Sequence, residues 1–140
     1  MPRARKAMIA AKLPFAAHAV VETVAAFSFI FHPDKQLPGC SPAAKLILRQ
    51  YGGLLLTSSL ICAAILAEPS FSGTARLLSV ALGTYHIWPC HRAYVRIQSG
   101  LGPRSTAISS LGGPTLHLAV HLACFGLFLF TAISPSIVST

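Results

Sequence analysis

Four apolar runs, each near the length of a bilayer crossing, alternate with short polar breaks along this chain. They cover residues 13–31, 43–67, 73–97 and 114–133. A helix needs about 20 apolar residues to cross a hydrocarbon core. Backbone groups in lipid must bond within their own segment, so runs of this kind are read as helices. The breaks carry the expected signals. The first run stops at His32-Pro33-Asp34-Lys35, and the second opens with Pro42 in its first turn and stops at Glu68-Pro69. The fourth follows Gly112-Gly113-Pro114, with Pro135 beyond it. Within the third, Trp88-Pro89 predicts a kink, because proline removes a backbone hydrogen bond. Connections are short except for Gln98 to Pro114, which is rich in Gly, Ser and Pro. Short connections make neighbouring helices antiparallel. The predicted fold is therefore all-α: a single transmembrane domain over 1–140, built as an up-down-up-down four-helix bundle.

Composition agrees with this pattern. Of 140 residues, 54% are apolar and only 10% are charged, against about 25% charged in a soluble domain. A soluble protein this small needs more polar surface to cover its core. The net charge of +8 sets eleven Lys and Arg against Glu22, Asp34 and Glu68. The positive residues flank the apolar runs, where headgroups would meet them. They do not cluster with aromatics, so nucleic acid is not an expected partner. Arg3, Arg5, Lys6 and Lys12 precede the first run without an acid. They read as its positive flank in preference to a mitochondrial presequence, since the run is long enough to span. The expected location is the endoplasmic reticulum membrane, with a mitochondrial membrane as the alternative. The four cysteines form no C-x-x-C pair, which argues against a zinc site or a disulfide framework.

Glu22 changes the picture most, because it falls near the middle of the first run. A carboxylate at bilayer depth costs roughly 2.5 to 3.5 kcal/mol on insertion scales, so an intramembrane acid marks a functional site by default. His86, His117 and His121 lie in other apolar runs and are expected to converge with Glu22 toward one face of the membrane. Those four are the candidate catalytic residues. His18, Arg49, Tyr51, Tyr85, Trp88 and Arg92 are the candidate substrate-binding residues. His18 and Glu22 share a helix face, as do His117 and His121, each pair being four apart. Gly52 and Gly53 beside Tyr51 leave room for close helix approach or a ligand. Each feature also has a plainer account. Glu22 with His18 would serve as a buried structural pair, and the histidines as hydrogen-bonding glue between helices. The arginines would snorkel, and the aromatics would sit in an interfacial belt. Taken together, a carboxylate, several imidazoles, a Tyr and an Arg exceed what glue requires.

Three functional classes follow. The leading one is an enzyme performing acid/base chemistry on a lipophilic small molecule within the membrane: an isomerisation, cyclisation or epoxide opening. Burial brings carboxyl and imidazole groups toward neutrality, which suits Glu22 and a facing histidine as acid and base. Arg or Tyr would steady developing negative charge. This reading needs no cofactor and no metal; its partners are the lipophilic substrate and membrane lipids. The second class is a metal- or haem-binding bundle, with His117-x-x-x-His121 as a ligand pair. The third is a non-catalytic membrane subunit or lipid-binding helper. A channel is disfavoured for one copy, since four short helices leave little lumen; a homo-oligomer would lift that restriction.

Two sequence stretches, His32-Pro33-Asp34 and Arg49-Gln50-Tyr51-Gly52-Gly53-Leu54, carry a family resemblance. A first span closing on a Pro-containing loop, followed by a second with a basic residue beside a Gly-rich apolar turn, resembles the DoxX-like small four-span membrane proteins. The resemblance covers roughly the first half of the chain. It implies a four-span membrane fold and transfers no catalytic residue, because that group has no single chemistry.

Overall fold

A computed structural model describes residues 2–100 and 113–134, with side chains from residue 5 onward. Most of the Gly/Ser/Pro-rich connection, with Arg104, lies outside the described residues, as does Pro135. The described chain is all-α, as the apolar pattern predicts. Its helices are α1 (Pro2–Phe31), α2 (Pro33–Gln36), α3 (Pro42–Ala67), α4 (Gly73–Tyr85), α5 (Ile87–Gln98) and α6 (Gly113–Ile133). Arg5–Phe31, α3 and α6 are each long and apolar enough to cross a membrane. The chain divides into two compact units, Phe15–Ala67 and the remainder.

Helix starts follow local chemistry. Ser41 accepts the Ala44 amide at 3.2 Å just before α3, whose first residue is Pro42. Ser72 does the same for Ala75 at the start of α4. These hydroxyls satisfy amides that have no partner inside the helix. The first helix begins well before residue 13. Good helix formers (Ala7, Met8, Ala10 and Ala11, with Lys6 and Lys12 on either side) carry it through the basic flank.

Within the unit 15–67, the later part of α1 and α3 form an antiparallel hairpin. Arg49 donates to the Ile30 carbonyl at 3.3 Å. Gly52 lies against Ala26, Phe29 and Ile30, and His18 reaches Ser58. As position falls along α1 it rises along α3. The turn is held by Gln36 donating to Ser28 at 2.7 Å and by an Asp34–Lys45 ion pair at 2.8 Å.

In the other unit, α4 and α5 run together along α6. Arg76 donates to the Ser134 carbonyl at one end, Gly83 faces Phe128, and His86 meets His121. At the other end Tyr94 and Leu118 line one groove. The segment expected as a single helix over 73–97 is thus two helices of 13 and 12 residues, about 20 and 18 Å long. Neither reaches across a core of about 30 Å alone. Together they run alongside the 21 residues of α6. The break falls at His86, upstream of the expected Trp88-Pro89 position. Pro89 has no amide to give the Tyr85 carbonyl four residues back, so the ladder opens one turn before the proline itself. The His86 amide turns instead to Gly83 at 3.0 Å.

Polarity is distributed inside out. His18, Glu22, Ser59, Ser79, His86, His121 and Thr131 are buried, whereas Val20, Phe27, Leu46, Leu54, Leu77, Leu129 and Phe130 are exposed. Serines in the helices return their hydroxyls to their own backbone, Ser59 to Leu55 at 3.1 Å and Ser79 to Ala75 at 3.0 Å. Polar groups turned inward, with large apolar side chains turned outward, suit a lipid surround. The chain has the build of a small membrane protein.

Candidate functional site

Three imidazoles gather where the α4–α5 break faces α6. His86 caps the end of α4 and precedes α5; His117 and His121 occupy successive turns of α6. His86 is 0% exposed and His121 3%. Their Nδ1 atoms lie 2.8 Å apart, with ring centroids at 5.1 Å. Two nitrogens at that separation share one proton: one ring donates through Nδ1–H and the other accepts through its Nδ1 lone pair. If both rings are neutral, they are held in opposite tautomers. The donor ring then has its lone pair on Nε2, and the acceptor ring carries its proton there. One buried pair thus presents a base and an acid at its two outer nitrogens.

The surroundings fix the pair in place. Phe128 stacks on His86 at 5.8 Å, and the Tyr85 ring meets His86 edge-on at 5.2 Å. His117 is half-buried and meets His121 edge to face, with centroids 4.3 Å apart. Phe128 is itself fully buried. The backbone break is what makes the arrangement possible. His86 sits at the corner between two helices, where its ring is directed to α6.

A second buried polar group lies in the other unit. His18 is 0% exposed and Glu22 1%. One ring nitrogen of His18 and one carboxylate oxygen of Glu22 lie within 4.8 Å of each other. His18 Nε2 is 3.0 Å from the Ser58 hydroxyl, and that hydroxyl donates its single proton to the Leu55 carbonyl at 2.7 Å. Ser58 must therefore accept from His18, which places the His18 proton on Nε2.

The expected site residues sort clearly. Within one unit His86, His117, His121 and Tyr85 come together, and within the unit 15–67 His18 lies beside Glu22. Arg92 is exposed on α5 but lies within electrostatic reach of His117. Trp88 is 72% exposed and stands on an outer face. Tyr51 packs edge-on against Phe29 at 4.9 Å. Arg49 is exposed and serves a carbonyl in the last turn of α1, which lacks an amide within its own helix. Neither Tyr51 nor Arg49 touches His18 through these contacts. Two participants escaped the sequence reading. Ser58 carried a weak signal, as one of three adjacent hydroxyl residues, Thr57 to Ser59, within an apolar run. Phe128 carried none, being one aromatic among several on an apolar helix.

Compared with known protein families, with well-described proteins and with solved structures, the chain shows no match.

Proposed function

We propose that this chain is a membrane-embedded acid/base enzyme acting on a lipophilic small molecule, with the His86–His121 pair as its proton-handling element. The observation that carries this reading is the single Nδ1–Nδ1 hydrogen bond, 2.8 Å long, between two buried imidazoles. A charge is costly away from water. A pair of opposite tautomers performs acid/base work without forming a net charge. For an isomerisation, Nε2 of the donor ring takes a proton from one substrate carbon. The Nδ1–H of that ring passes to the Nδ1 of its partner, and the partner's Nε2–H goes to the carbon that gains hydrogen. One C–H bond breaks, another forms, the double bond moves, and the two rings exchange tautomers. No co-reactant is required.

A lipophilic substrate fits the setting, since the helices carrying the pair turn apolar side chains outward and such a molecule partitions among them. Glu22 and His18 supply a second buried titratable pair. The basic residues before position 13 belong to the same continuous helix as the first span. That supports reading them as a membrane flank, and with it an endoplasmic reticulum location.

The test uses purified protein in lipid nanodiscs with a membrane lipid extract in deuterated water. The outer Nε2–H delivered to substrate is replaced from solvent between turnovers, so turnover should leave deuterium in an isomerised lipophilic product seen by mass spectrometry. His86→Phe and His121→Phe should each abolish that product while the protein still inserts. Absence of any product dependent on the unaltered protein would overturn the proposal.

A further inference from the structure

An isomerisation carried by the His86–His121 pair leaves its two rings in exchanged tautomers. One outer nitrogen has gained a proton from the substrate, and the other has given one up. A second turnover in the same sense needs one proton to enter the pair and one to leave. Both rings are shut away from solvent, His86 at 0% exposure and His121 at 3%. Solvent protons therefore have to reach the outer nitrogens by way of neighbouring groups.

Each ring of the pair has a less buried, ionisable ring against it. Tyr85 meets His86 edge-on with centroids 5.2 Å apart, and His117 meets His121 at 4.3 Å. Tyr85 and His117 are both half-buried. His117 follows Gly113, the first residue of α6, by four positions, about 6 Å along the helix axis. His121 lies one turn further in. Phe128, stacked on His86, has no proton to exchange. Tyr85, His86, His121 and His117 thus form a row of rings in successive contact, buried at its centre and half-buried at both ends.

We propose that this row is a proton relay, with Tyr85 and His117 as the end groups that reset the buried pair between turnovers; the role rests on the acid/base reading above. Neither end group acts on the substrate. Each acts through the histidine it touches. When His86 has taken the substrate proton, His117 passes its ring proton to Nε2 of His121 and takes another from solvent at its second nitrogen. The shared proton returns to Nδ1 of His86. The Nε2–H of His86 then moves to the Tyr85 oxygen as the Tyr85 hydroxyl proton leaves for solvent. One proton enters, one leaves, and the row ends with no net charge. When His121 is the base, every transfer runs in the opposite sense. A phenol and an imidazole suit the two ends because each both accepts and donates.

Product counted per chain tests the relay, in nanodiscs of membrane lipid extract in deuterated water. The unaltered protein should accumulate deuterated product steadily. Tyr85→Phe, which keeps the ring and removes only the hydroxyl, should yield about one product per chain and then slow about a hundredfold. His117→Ala should behave alike. Imidazole in the buffer should restore steady turnover to His117→Ala, whereas pyrrole, similar in shape but with no basic nitrogen, should not. Unchanged steady turnover in both variants would overturn the relay. So would equal rescue by pyrrole, or loss of the first product along with the rest. A second readout needs no turnover. On transfer to deuterated water, the ring protons of His86 and His121, followed by ¹⁵N-histidine NMR, should exchange about a hundredfold more slowly in both variants. Exchange as fast as in the unaltered protein would contradict the proposal. Slowed exchange in both variants, with no product from the unaltered protein, would bear out the relay and sink the isomerase reading.

Discussion

His86 and His121 stay in an apolar interior because each satisfies the other. Removing one ring strands a polar nitrogen, which costs about 1 to 3 kcal/mol. Replacing both with phenylalanine removes the need along with the partner, and can be nearly neutral. Unfolding of the protein in detergent should therefore show His121→Phe destabilised by that amount. His86→Phe/His121→Phe should be less destabilised than the sum of the single variants. Additive losses would mean the two rings do not interact. At this scale the sequence showed which residues were out of place: an acid and several imidazoles within apolar runs. It did not show their partners. Ser58 as the acceptor for His18, and Phe128 as the plate behind His86, depend on helix rotation and depth, which periodicity leaves open. Trp88 illustrates the same limit. An aromatic beside a proline is equally compatible with a pocket wall and with an outer face, and here it is exposed.

Between elements, close approach is set by single glycines. A Cβ on Gly52 would stand 2.8 Å from Ile30 Cγ1 and 3.0 Å from the Ala26 carbonyl oxygen, whereas one on Gly53 meets nothing within 4 Å. Gly52→Ala should therefore push α1 and α3 apart and cost about 1 to 3 kcal/mol, as overpacking does. Gly53→Ala should be neutral or slightly stabilising, since alanine is the better helix former. Thermal unfolding of the two variants side by side checks this, and equal effects would contradict the hairpin described. The sequence marked both glycines as places of close approach; only the facing helix tells them apart. It also anticipated a kink from Pro89 but placed it at the proline. The missing amide acts on the carbonyl four residues earlier, which moves the break to His86 and turns that side chain toward α6. The start of α1 was less legible. Basic residues mark a membrane flank, yet with alanine among them they continue the helix.

For the whole molecule, hydrophobicity was the most legible property. Apolar length and scarce charge predicted helices for a bilayer, and the large exposed side chains on α1, α3, α4 and α6 are those a lipid surround would cover. The same inversion makes buried polar groups costly, and so gives the His86–His121 pair its meaning. The account depends on that pair sharing one proton, shielded from water. ¹⁵N-histidine NMR of the protein in lipid bilayers tests this most directly. The predicted result is one protonated Nδ1 and one unprotonated Nδ1, coupled to each other through the hydrogen bond. Their shared proton should exchange with solvent far more slowly than those of the exposed His32 and His91. Two rings protonated only at Nε2, uncoupled and exchanging as fast as those exposed histidines, would contradict it.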